Sequence, residues 1–134
     1  MKPTEDVMNK FYQHIGQLFY AVASADKIVR KDEIEKLKEI VRKEWLPLDN
    51  ATDKFGTDAA YQIEIVFEWL TDRETNSEDS FKKFSTYYTE HSYLFADTYK
   101  KTIAQTAASI ADAYHGKNKS ELHILSELNT LMKK

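Results

Sequence analysis

Apolar side chains recur at intervals of three and four residues along most of this chain, and this spacing restricts its fold more than any other feature. The first run consists of Val7/Met8, Phe11/Tyr12, Ile15, Leu18/Phe19 and Val22/Ala23. A repeat of about 3.6 residues places such side chains on one face of an α-helix. It predicts a first helix from about residue 5 to residue 25 that faces a core.

The same spacing predicts a second helix and a third. The second carries Ile34, Leu37, Ile40/Val41 and Trp45 and stops at Pro47, because proline cannot continue a helix. Residues 48–57 are polar and are expected to form the longest loop. The third helix begins at Thr57 or Asp58 and has apolar residues on two sides, so we expect it to be the most buried.

Three more helices follow a boundary at residues 75–77. A tight turn within residues 91–97 separates the fourth from the fifth. The fifth has a face of small residues, Ala104, Ala107, Ala108 and Ala111, which favours close approach of a neighbouring helix. Gly116 is suited to end it. The sixth helix continues through Leu122, Leu125, Leu128 and Leu131/Met132.

Composition agrees with one ordered helical domain over residues 1–134. Only three Gly and two Pro occur, and 42% of the residues are hydrophobic. We therefore predict an all-α fold, a single compact bundle of about six helices. Without cysteine, a disulfide framework, a cysteine-bound zinc ion and a thiol nucleophile are excluded.

Charge and hydropathy bear on location and partners. The net charge of -3 is divided almost evenly between the two halves, so we expect no nucleic-acid partner. The first residues are acidic where a signal peptide would be apolar, and no apolar run approaches the roughly 20 residues of a membrane span. We expect a cytoplasmic protein without membrane insertion.

Two helix-loop-helix segments give the chain a weak internal pseudo-repeat. The first is residues 23–37, Ala-Ser-Ala-Asp-Lys-Ile-Val-Arg-Lys-Asp-Glu-Ile-Glu-Lys-Leu, and the second is residues 111–122, Ala-Asp-Ala-Tyr-His-Gly-Lys-Asn-Lys-Ser-Glu-Leu. In each, a short side chain closes one helix and an acid opens the next. Both segments resemble the tellurite-resistance TerB-like family of small all-helical domains. The resemblance implies a non-enzymatic, cation-binding or scaffold component of a cytoplasmic stress response.

Asp26 in the first loop requires a cation nearby. It follows the C-terminal end of a helix, where the helix dipole disfavours a carboxylate. A salt bridge to Lys27, Arg30 or Lys31 would answer this requirement. A calcium or magnesium ion held by Asp26 with Glu33 would answer it too, because these ions prefer oxygen ligands.

The second loop offers further candidate ligands. Asp112 lies one turn before His115, so the two side chains could ligate one ion or pair with each other. Glu121 follows Asn118 by three residues, which is the spacing of a capping box. The resemblance implies that the two loops lie side by side, which would bring Asp26, Glu33, Asp112 and Glu121 together.

The family pattern differs from this chain at two loop positions. In TerB-like proteins the residue after the aspartate is usually glycine, and the residue before the second helix is usually a small polar cap. Here these residues are Lys27 and Arg30, which add positive charge to the loop.

Signals for catalysis are weak, and we predict that the protein is not an enzyme. No nucleophile elbow or glycine-rich phosphate loop occurs, and the only approach to a di-iron motif is Asp112-x-x-His115. The aromatic content of 13% suggests an alternative function. Tyrosine and tryptophan fill cores but are also enriched at interfaces. An ion-independent protein-interaction module with a partner-binding face of Trp45, Tyr87 and Tyr93 is therefore the second hypothesis.

Overall fold

The computed structural model describes residues 5–48, 59–113 and 119–133. Within them lie six α-helices and no strand, so the predicted all-α bundle is confirmed. The helices are α1 (Glu5–Ala23), α2 (Lys31–Ile40), α3 (Gln62–Arg73), α4 (Ser77–Glu90), α5 (Asp97–Ala111) and α6 (Lys119–Met132). Short turns of other helix types are Val41–Trp45, Ala59–Tyr61 and Ser92–Leu94. Some predictions lie outside the described residues. They are the start of the third helix at Thr57 or Asp58, the end of the fifth helix at Gly116, the capping box at Asn118, and the loop at 48–57 beyond Leu48.

α1 is the central helix of the bundle, and it contacts α3, α4, α5 and α6. Its apolar repeat is fully buried at Phe11, Ile15 and Phe19, as the spacing predicts. Gly16 allows α3 to approach closely, because a β-carbon there would lie 2.8 Å from the backbone oxygen of Ile63. The position of α1 is therefore set both by its large apolar side chains and by the lack of a side chain at Gly16.

The prediction that the third helix is the most buried is wrong. α3 buries Ile63, Phe67 and Leu70 on the side that meets α1. On its other side the side chains of Ile65 and Trp69 are 55% and 54% exposed. One apolar stripe of α3 belongs to the core, and the other lies at the surface.

The last two helices pack through small and medium side chains. On α5, Ala107 and Ala111 are buried, while Ala104 and Ala108 are half-buried. On α6 the inward residues are Glu121, Ile124 and Leu128, whereas Leu122 is exposed. The predicted apolar stripe of this helix was wrong at Leu122, because the buried face includes a glutamate one residue before it.

Candidate functional site

Two buried glutamates mark the place where the first turns of α2 and α6 meet. Glu33 is 1% exposed and Glu121 is 2% exposed. Their side chains are hydrogen-bonded to each other. Since ionised carboxylates can only accept hydrogen bonds, this contact favours the protonated form of Glu33. The structure thus brings together one acid from each half of the pseudo-repeat.

The backbone of the first loop also holds Glu33. Its Oε1 accepts a hydrogen bond from the Arg30 amide at 2.9 Å, which is one half of a capping box at the start of α2. Burial, followed by the nearby Glu121 and Asp26, raises the pKa of Glu33 to about 8, against the lowering effect of this hydrogen bond. Glu33 is consequently protonated over much of the neutral pH range.

Asp26 forms its salt bridge with Arg30. Arg30 Nη1 lies 2.6 Å from Asp26 Oδ2 and 3.9 Å from Glu33 Oε1, so one guanidinium faces both carboxyl groups. The other Asp26 oxygen accepts a hydrogen bond from the Ile28 amide at 3.2 Å. Among the cations weighed for this loop, Lys31 instead lies 3.8 Å from Glu35. We name the group formed by Asp26, Arg30, Glu33 and Glu121 the acid site.

Lys27 turns the chain between Asp26 and α2. Its φ is 72°, in the left-handed region that costs an L-residue about 1 kcal/mol and glycine almost nothing. Its amide donates to the Ser24 carbonyl at 2.8 Å. The backbone at this position therefore has the conformation expected where the TerB-like pattern has glycine, although the residue is lysine.

The acid site as it stands does not suit a divalent cation. The guanidinium of Arg30 already forms an ion pair with Asp26 and faces Glu33. Asp112 ends α5 with an exposed side chain, and His115 lies outside the described residues. In the described ranges, no group of three or more His, Asp or Glu could hold a metal ion. The calcium or magnesium site therefore stays a prediction, and among its described residues Asp26 is paired with Arg30.

The predicted aromatic face does not form. Trp45 is fully buried, because the wide turn Val41–Trp45 carries its ring into the core, where its indole N–H donates to Thr106 Oγ1 at 3.1 Å. Tyr87 is also buried. Only Tyr93, 76% exposed, remains available from the predicted set.

Tyr87 is instead the middle ring of a stack of three. Its ring centroid lies 3.9 Å from that of His14 and 4.2 Å from that of His91. Burial lowers the pKa of His14 and raises the pKa of Tyr87 to about 12, so both rings favour the neutral form. We interpret the stack as packing between α1 and α4.

The exposed side of α3 has a continuous ridge of large side chains, Ile65, Trp69 and Arg73, spaced by one helical turn. The guanidinium carbon of Arg73 lies 4.2 Å above the Trp69 ring, a cation–π contact. Beside this α3 ridge, Lys38 of α2 pairs with Glu68 at 2.7 Å. Sequence reasoning assigned Ile65 and Trp69 to a covered side and so missed the ridge. The exposed acids Glu68 and Asp72 could have signalled it, because charged side chains next to Ile65 and Trp69 are typical of a solvated side.

A broad cleft of about 1540 Å³ opens near the acid site. It lies between the loop after α1, the N-terminal half of α4 and the start of α6, and its lining includes Ile28 and Phe81. Lys82 and Lys119 line it together with glutamates such as Glu78. Because both signs of charge are present, the lining favours no single charge of ligand.

Comparisons with models of protein families, with curated proteins and with solved structures gave no match. The TerB-like resemblance therefore depends on the two loop segments. Within the part of the chain that the structure describes, no helix combines the length and apolar character needed to cross a membrane.

Proposed function

We propose that this chain is a non-enzymatic, TerB-like scaffold domain that binds a partner protein through the α3 ridge. The observation that carries the proposal is the exposure of Ile65 and Trp69, each more than half exposed and one turn apart on the same face. The proposal retains the hypothesis of a protein-interaction module. It assigns the binding surface to α3 instead of the buried Trp45 and Tyr87.

The chemistry of the α3 ridge is that of a binding hot spot. Tryptophan and arginine are the residue types that most often dominate interface energies. Complete burial of a large apolar side chain contributes about 1.5 to 3 kcal/mol, so covering the exposed halves of Ile65 and Trp69 would together contribute about 1.5 to 3 kcal/mol. Arg73, held over the indole ring, adds a charge at the edge of the apolar surface.

The assignment to a cytoplasmic stress response of the tellurite-resistance type is part of the same proposal. Its support is the resemblance of residues 23–37 and 111–122. The contact of Glu33 with Glu121 agrees with it, because the resemblance implies that the two loops lie side by side. The proposal of a non-enzymatic domain is supported by the acid site, where the Asp26 carboxylate is paired with the Arg30 guanidinium.

Site-specific photo-crosslinking tests the surface. A photoreactive amino acid would replace Ile65 in one variant and Leu122, which is exposed on α6, in a matched control. In native extract we expect a discrete crosslinked species from position 65 only, and its loss when Trp69→Ser is added. Circular dichroism would check that the fold is unchanged.

Two outcomes would contradict the proposal. One is the same crosslinked species from positions 65 and 122. The other is a species from position 65 whose yield does not change with Trp69→Ser.

A further inference from the structure

We propose that Arg30 acts as the built-in cation of the acid site, so that this domain joins its two loops without a divalent metal ion. The resemblance implies a metal site here, whereas the described residues give an internal ion pair. The inference concerns a positioning residue and does not depend on the α3 ridge.

The location of the guanidinium carries the inference. Calcium binds carboxylate oxygens at 2.3 to 2.6 Å. Arg30 Nη1 lies 2.6 Å from Asp26 Oδ2 and 3.9 Å from Glu33 Oε1, so its positive charge lies in the region that a metal ion bound by both acids would need. Two cations at one position would repel strongly.

The charge balance leads to the same conclusion. The site has three carboxyl groups, and burial together with the nearby Glu121 raises the pKa of Glu33, so this carboxyl group favours its neutral form. Arg30 supplies one positive charge, and the N-termini of α2 and α6 add the positive ends of two helix dipoles. A divalent ion would therefore add positive charge where the acids already face a guanidinium and two helix N-termini.

The ion pair between Arg30 and Asp26 is partly shielded from water, which strengthens its contribution to holding the helices together. The side chains of Arg30 and Asp26 are 28% and 16% exposed. A charged pair that is largely shielded from water interacts more strongly than a fully exposed pair. Through Asp26 and Glu33, Arg30 connects the end of α1 to the start of α2, and Glu33 in turn connects to α6.

Thermal unfolding with and without millimolar calcium or magnesium tests the inference. We expect the melting temperature of the natural sequence to be unaffected by either ion. Arg30→Ser should melt at a lower temperature and be stabilised by calcium, because the acids then lack their cation. Arg30→Lys, which keeps the charge, should remain insensitive to calcium.

A double variant is the matched control. Asp26→Asn with Arg30→Ser removes both charges of the pair, so its melting temperature should not respond to calcium. If Arg30→Ser folds only when calcium is present, the inference is supported as well.

The inference is overturned by any of three results. Calcium could stabilise the natural sequence, which would mean that Arg30 does not occupy the cation position. Arg30→Ser could fold without any response to calcium, or it could fail to fold even with calcium present. Folding without a calcium response would mean that the acids need no cation at that position, and failure to fold with calcium would mean that Arg30 does more there than supply a positive charge.

Discussion

Glu33 and Glu121 come from distant parts of the sequence, yet their carboxyl groups meet in the interior of the bundle, where burial and the nearby Glu121 raise the pKa of Glu33. The contact joins the first turn of α2 to the first turn of α6. It makes the packing of these helices depend on a titratable group.

Stability should therefore fall as the pH rises through the neutral range. The pKa of Glu33 is about 8 in the folded chain and 4.5 in its ordinary state. A raised pKa contributes stability that is fully present below about pH 4.5 and is lost as the pH approaches and passes about 8. Urea unfolding at a series of pH values should show this loss in the free energy of unfolding, at no more than about 1.4 kcal/mol per pH unit.

Two variants separate this effect from other titrations. In Glu33→Gln the decline between about pH 5 and pH 8 should be much smaller. In Glu35→Gln, at an exposed position of the same helix, it should be unchanged. A decline of equal size in all three proteins would show that Glu33 is not its source.

Trp45 should behave as a core residue. Trp45→Phe removes ring volume and the hydrogen bond to Thr106, so the free energy of unfolding should fall by about 1 to 3 kcal/mol. Trp69→Phe, on the exposed side of α3, should change it by less than about 0.5 kcal/mol. Equal losses from the two changes would mean that Trp69 is packed as firmly as Trp45.

Lys27→Gly should stabilise the protein by about 0.5 to 1 kcal/mol, because glycine adopts a φ of 72° without strain. Lys27→Ala should give no such gain, since alanine keeps the β-carbon that causes the strain. Chemical unfolding measures both. A gain from alanine equal to that from glycine would trace the effect to the lysine side chain and not to the backbone.

Gly16→Ala should destabilise the protein by about 1 to 3 kcal/mol, because the new β-carbon would lie 2.8 Å from the Ile63 carbonyl oxygen. At an exposed helix position, Gly→Ala stabilises a protein by about 1 kcal/mol. A loss of stability in Gly16→Ala would therefore show that α3 packs closely against this position. Lys10→Ala, at an exposed position of α1, should have little effect on the melting temperature. A more stable Gly16→Ala variant would mean that α1 and α3 are further apart than described.

Sequence patterns predicted the helices well because burial of an apolar stripe follows directly from its spacing. Phe11, Ile15 and Phe19 show this on α1. Spacing does not reveal which stripe a neighbouring helix covers. For this reason both stripes of α3 were expected to be covered, although the one with Ile65 and Trp69 is exposed.

The candidate site was predictable in part. The sequence indicated that Asp26 needs a cation and proposed Arg30 among the possible partners. Only interatomic distances could separate a guanidinium from a metal ion, because both satisfy the same carboxylate. The burial of Glu121 depends on how α6 is rotated against α1 and α5, and that rotation is a tertiary property.

The central position of α1 has a consequence for synthesis of the chain. α1 is made before all four helices that cover it, so its large rings must wait for partners that emerge much later. The Phe11 ring, for example, lies 4.9 Å from the rings of both Phe95 and Tyr99. A nascent chain that has not yet reached α5 exposes these surfaces of α1 to water and to other chains. If translation pauses before α5, the apolar face of α1 therefore stays exposed, and α1 becomes the segment most prone to aggregation.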